Sequence, residues 1–223
     1  MLKDLTEVGQ IVQNAIVFNP RNWEMLAMEN GSLLQAVENL FALLESRDID
    51  YVLVGGVALL NYVEGRNTQD IDLIMTLSDL SNVPEIVIEQ QTNPYFARGE
   101  FEGLQIDILL TRNPLFRLVQ QNYAVKQSFW EQEISIATVE GLLLLKLYAL
   151  PSLYRQGDFV RVSVYENDIA TLLYMYPADV DKLLQILSRY VGEGDIVSIG
   201  EILDEIKHRI ERFKSGQEGD IGG

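Results

Sequence analysis

Apolar positions change their spacing twice along the chain. Leu5, Val8, Ile11, Val12, Ala15 and Ile16 recur every three or four residues, the period of one helix face. Asn19-Pro20 stops that helix. A second helix is expected from Ser32, with the stripe Leu33, Leu34, Val37, Leu40, Phe41 and Leu44. At Tyr51 the helical period disappears. Tyr51 to Val54 is a short apolar run that meets Gly55-Gly56, a buried strand entering a tight turn and then a short helix over 57–63. Residues 71–75 predict a second strand, and 134–137 a further one. Residues 95–99 and 104–110 predict a hairpin that turns at Glu102-Gly103.

After Thr138 the helical period returns. Thr138 is a candidate cap, and helices are expected over about 138–149, 165–175, 179–190 and 199–213. Pro151 to Gly157 reads as a connection between them. The expected class is therefore α/β (α+β): a small mixed sheet with flanking helices, followed by a mainly helical C-terminal part. The expected divisions are an N-terminal helical segment (1–30), the α/β core (31–137), the helical part (138–214) and a flexible Gly-rich tail (215–223).

Composition then removes whole classes of chemistry. The 223 residues include no Cys and one His. That excludes a disulfide scaffold, a thiol nucleophile, a Cys zinc site and a multi-His metal site, and it disfavours a His-based triad. With 17 Lys+Arg against 33 Asp+Glu the formal charge is −16, which argues against a broad basic grip on long nucleic acid. The N-terminus, MLKDLTEVGQ, lacks the pattern of a secretory signal. The most apolar run, Leu142 to Leu150, is too short to span a bilayer. A cytoplasmic protein with no membrane partner is the expectation.

Three features carry the chemistry. Val54-Gly55-Gly56 ends a strand; after thirteen intervening residues Asp70-Ile71-Asp72-Leu73 opens another; Asp107 lies between Ile106 and Ile108 in a third. Strand residues i and i+2 share a face, so Asp70 and Asp72 project together. An acid inside an apolar strand is costly unless something compensates it. If the strands 71–75 and 104–110 are neighbours, the three carboxylates converge and repel one another until a cation neutralises them. Hard divalent ions, Mg²⁺ or Mn²⁺, prefer such oxygen ligands together with substrate phosphates. Gly55 and Gly56 let the backbone approach a polyphosphate at a helix N-terminus. Arg66 is a candidate phosphate clamp, and Thr68 a candidate cap for the turn that presents Asp70.

Taken together, Gly55-Gly56-Val57-Ala58, the run Arg66-Asn67-Thr68-Gln69-Asp70-Ile71-Asp72-Leu73 and the later Asp107 resemble the nucleotidyltransferase superfamily of the DNA polymerase β type. They most resemble its minimal members, the AbiEii- and MenT-like toxin–antitoxin nucleotidyltransferases. The resemblance covers residues 50–110 well and the helical remainder loosely. It implies that Asp70, Asp72 and Asp107 bind metal, that Gly55 and Gly56 hold an NTP's triphosphate, and that a basic residue beyond the sheet contacts it. Lys146 is the candidate for that last role. The chain departs from the toxin-like pattern at Glu64, where a His is common, and at Tyr165-Glu166-Asn167 before Asp168, where a Lys-Asp pair is commoner.

The implied activity is metal-dependent transfer of an NMP from an NTP to an acceptor hydroxyl, with release of pyrophosphate. Asp107 is a candidate base for that hydroxyl. The acceptor is an RNA end, a protein or a small molecule, and a cognate antitoxin is an implied partner. The alternative is a non-catalytic nucleotide-binding or protein-interaction module with the same fold. Blander readings stand beside the sharp ones. Lys146 is equally a snorkelling lysine over core surface. Arg161 and His208 read as surface residues, and Tyr95, Phe96 and Phe101 as packing aromatics.

Overall fold

A computed structural model describes residues 32–63, 70–129 and 132–220. The expected N-terminal helix lies outside them, as do Glu64, Arg66 and Thr68. The chain divides into two compact units, the first ending at Gly141 and the second beginning at Leu142.

The first unit is built on a seven-stranded mixed sheet of order β3-β4-β5-β2-β1-β7-β6. Its strands are β1 (Tyr51–Val54), β2 (Asp70–Met75), β3 (Val87–Asn93), β4 (Phe96–Phe101), β5 (Leu104–Leu110), β6 (Ala124–Phe129) and β7 (Gln132–Ala137). Its helices are α1 (Ser32–Ser46), α2 (Gly55–Leu60), α3 (Leu77–Ser81) and α4 (Pro114–Asn122). The pairs β2–β5 and β1–β7 are parallel, and the others antiparallel.

Helix α1 forms where the apolar stripe predicts it and buries Val37, Leu40, Phe41 and Leu44. Phe41 stacks on Tyr51 of β1 with ring centroids 5.8 Å apart. Burying each such side chain contributes about 1.5–3 kcal/mol. On one face of the sheet Leu53, Ile71, Leu73, Ile106 and Ile108 are all buried. The predicted hairpin is β4–β5, and its turn residues Glu102 and Gly103 both have positive φ, 48° and 83°, as a two-residue turn of matching twist requires. Strands β3 and β6 occupy the two sheet edges. Neither was expected, because edge strands need no continuous apolar run: Val87, Ile88 and Val125 are exposed.

The second unit is helical, with α5 (Val139–Gln156) from Leu142 onward, α6 (Phe159–Met175), α7 (Val180–Leu187) and α8 (Glu193–Asp220). Thr138 precedes α5 as the expected cap, its Oγ1 accepting from Gly141 N at 3.2 Å. The expected connection from Pro151 is corrected: α5 runs through Pro151 to Gln156. A proline removes one N–H, and burial of Leu150 and Leu153 on either side holds the helix together. Gly157, at φ 67°, makes the actual stop. Asp158 then caps α6, accepting from Arg161 N at 3.1 Å. Helix α6 starts earlier than expected because its first turn exposes Phe159 and Val160 and so lacks an amphipathic signature. Helix α8 begins six residues before the expected 199 and continues through the glycines to Asp220. No helix among the described residues is long and apolar enough to cross a membrane.

A candidate acid site on the sheet

The two acidic strands are neighbours. β2 and β5 run parallel, with Asp70 beside Gln105 and Asp72 beside Asp107. Because side chains alternate, Asp70, Asp72 and Asp107 fall on one face, and Ile71, Leu73, Ile106 and Ile108 on the other. Further along the acid face Val52 and Ile74 are fully buried. The acid face therefore opens at the Asp70 end of β2.

The rung through Asp72 holds most of the site. Val54 of β1 pairs with Asp72, Asp72 with Asp107, and Asp107 with Arg98 of β4. Directly after Val54 the chain turns into α2 at Gly55, whose φ is 66°. A methyl group built on Gly55 would stand 1.8 Å from Asp72 Oδ2. Glycine is required there twice over, for its left-handed backbone and for the space that the carboxylate fills. Gly56 follows, buried in the first turn of α2.

Arg98 was not singled out from the sequence. Its Nε donates to Asp107 Oδ1 and its Nη2 to Asp107 Oδ2, both at 2.6 Å. This is the fork geometry of a guanidinium on a carboxylate. The side chain of Asp107 is 9% exposed and that of Arg98 29%. Hydrogen bonding to Asp107 holds Arg98 further into its charged form than an ordinary arginine, and the charges of Asp70 and Asp72 act in the same direction. One guanidinium thus feels all three acids. The signal was present in the hairpin: residues equidistant from the Glu102-Gly103 turn must face each other, and Arg98 and Asp107 are such a pair.

The two strands are neighbours, the condition on which the expected convergence depended. At the level of side-chain atoms, no three acidic or histidine side chains among the described residues gather as a metal cage. Arg98 takes both oxygens of Asp107, and the Asp72 carboxylate lies against Gly55. The donor set still suits a hard cation. It consists of carboxylate oxygens on one rung and the next, at the open part of a face, with a backbone cradle free of side chain alongside.

Lys146 is buried in the second unit at 4% exposure, so it does not snorkel. Its Nζ donates to Asp168 Oδ2 at 2.7 Å and lies 4.4 Å from the centre of the Tyr165 ring. Arg161 and His208 are exposed, as expected of surface residues. Phe101 is buried and Tyr95 exposed.

No protein-family model and no curated protein matches the chain. Similarity is found among solved structures. One is an antigenic nucleotidyltransferase-like protein from Paracoccidioides brasiliensis, at 18% identity and TM-score 0.49, covering 75% of this chain and 91% of that one. Another is the antibiotic-resistance factor ANT(2'')-Ia, at 12% identity and TM-score 0.48, covering 82% and 96%. The same factor in complex with adenylyl-2''-tobramycin gives 12% identity and TM-score 0.47, covering 75% and 96%.

Proposed function

We propose that the chain is a divalent-metal-dependent nucleotidyltransferase of the polymerase β type, resembling the minimal toxin–antitoxin members. The observation that carries the reading is the rung Val54–Asp72–Asp107–Arg98 beside the Gly55 turn. A structural role alone gives no reason to place three acids on one face of a core sheet next to an obligatory glycine.

Asp70, Asp72 and Asp107 would hold Mg²⁺ or Mn²⁺. When bound, the metal supplies charge neutralisation at the triphosphate and activation of the attacking oxygen. Gly55 and Gly56 would seat the triphosphate against backbone, and Arg66 and Thr68 complete the proposed set from outside the described residues. The acceptor oxygen attacks the α-phosphorus, and a new P–O bond forms. The bond from that phosphorus to the bridging oxygen breaks, and pyrophosphate leaves with the electron pair. The hydroxyl proton passes to a carboxylate oxygen of Asp107. Such catalysis is mostly alignment and charge. The formal charge of −16 favours a small cationic acceptor over a long polyanion.

The test is transfer of α-phosphate radiolabel from each NTP onto whole-cell RNA, protein and small molecules. Asp70→Asn and Asp72→Asn are expected to lower transfer by about 10²–10³-fold or more while the circular-dichroism spectrum and melting temperature stay close to wild type. Unchanged Mg²⁺-dependent ATP binding in both variants would remove the reading.

One observation favours a second reading, a nucleotide-binding module without turnover: both oxygens of Asp107 are already taken by Arg98. Tight Mg²⁺-dependent NTP binding with no pyrophosphate release would select it.

A further inference from the structure

Nothing in the reaction above uses Arg98, yet it makes two hydrogen bonds of 2.6 Å to a carboxylate that the reaction needs. Two requirements meet there. Without a cation, a buried Asp107 with Asp70 and Asp72 on the same face is unfavourable. With a divalent cation on Asp107, the oxygens that accept the guanidinium fork are needed as metal ligands. One carboxylate does not satisfy both partners in full. Arg98 is also the more exposed member of its pair, 29% against 9%, so its side chain borders solvent. Its backbone is fixed in β4, opposite Asp107, so it returns to the same partner.

We propose that Arg98 is the counter-ion of Asp107 in the metal-free site and that a divalent cation binds by displacing it from that carboxylate. Arginine and metal compete for one carboxylate. Arg98 keeps the acid face folded when no metal is present and lowers the affinity of the empty protein for metal. The proposal rests on the metal-dependent reading of the acids and goes beyond it by assigning Arg98.

The test uses Mn²⁺ as probe on the full chain without nucleotide, read by calorimetry and electron paramagnetic resonance. Arg98→Gln is expected to bind Mn²⁺ about tenfold or more tightly than wild type, and Mn²⁺ should raise its melting temperature more than that of wild type. Equal Mn²⁺ affinity in the two proteins overturns the competition, and retained nucleotidyl transfer would show that the functional reading survives. Absence of Mn²⁺ binding in both proteins, with and without ATP, removes both ideas. If Arg98→Gln does not fold, the wild type carries the test. The Arg98 Nε–H resonance, assigned by its loss in Arg98→Lys, is expected to move on titration with Mg²⁺. A resonance that stays in place at saturating Mg²⁺ overturns the proposal.

Discussion

Asp107 and Asp168 are both buried carboxylates, each in an ion pair with a basic side chain, and their surroundings differ. Asp107 sits on a sheet face with two further acids on the neighbouring strand, and its arginine is nearly a third exposed. Asp168 sits inside a helical unit with Lys146, and both of those side chains are at 7% exposure or less. The ring of Tyr165 covers the lysine. A point-like ammonium sealed by protein has nowhere to go, and removing it leaves a charge without water. A forked guanidinium at an open face can be exchanged for another cation. The same pairing chemistry is thus permanent in one place and replaceable in the other, and solvent access with extra negative charge makes the difference.

The largest expected effect tests the sealed pair. Lys146→Met should cost about 3–5 kcal/mol in urea denaturation, because Asp168 is left buried without its cation. The double variant Lys146→Met with Asp168→Leu should recover most of that loss. A cost for Lys146→Met below about 1 kcal/mol, the range of exposed pairs, would show that the second pair is not sealed and break the comparison. The folded double variant also tests the expectation that Lys146 contacts triphosphate. Wild-type NTP affinity in it would leave the lysine with a structural role only.

Much of the first unit could be read before its structure. β1 is an unbroken apolar run, β2 and β5 are apolar apart from Asp70, Asp72, Gln105 and Asp107, and the Glu102-Gly103 turn ties β4 to β5; β1, β2 and β5 lie in the middle of the sheet and are largely buried. The acids stood out for the same reason: a charge amid isoleucines is costly unless something compensates it. Edge strands β3 and β6 left no such trace. Lys146 could be placed on a helix, but its partner Asp168 comes from another helix, and no spacing rule connects the two. Arg98 is the instructive omission. The turn at Glu102-Gly103 was legible, and the turn alone fixes Arg98 opposite Asp107. A buried acid needs a counter-ion from its own chain before it needs a metal, and the hairpin supplies one.

Next in size is Gly55→Ala, which acts on the acid face through geometry instead of charge. The positive φ and the 1.8 Å approach to Asp72 Oδ2 must both be relieved. A stability loss of about 1–3 kcal/mol is expected from the strained backbone. The displaced carboxylate should cost transfer activity about 10²-fold, since a shift of 1 Å is enough for that. Thermal melts and the radiolabel assay read the two effects separately. Full activity in a folded Gly55→Ala would mean that the position of Asp72 against the turn does not matter to the site.

The smallest expected effect discriminates most finely. Arg98→Lys keeps the charge opposite Asp107 and gives up the fork, since an ammonium cannot hold both oxygens in that geometry. At a pair with one partner nearly a third exposed, the stability loss should stay under about 1 kcal/mol. Mn²⁺ affinity should fall between those of wild type and Arg98→Gln, because a single-point contact is easier to displace than a bidentate one. If Arg98→Lys instead unfolds the chain as severely as Lys146→Met, the arginine is as sealed as the lysine. Its exposure would then not measure exchangeability. The acid face would be held shut by its own counter-ion, as the module without turnover requires.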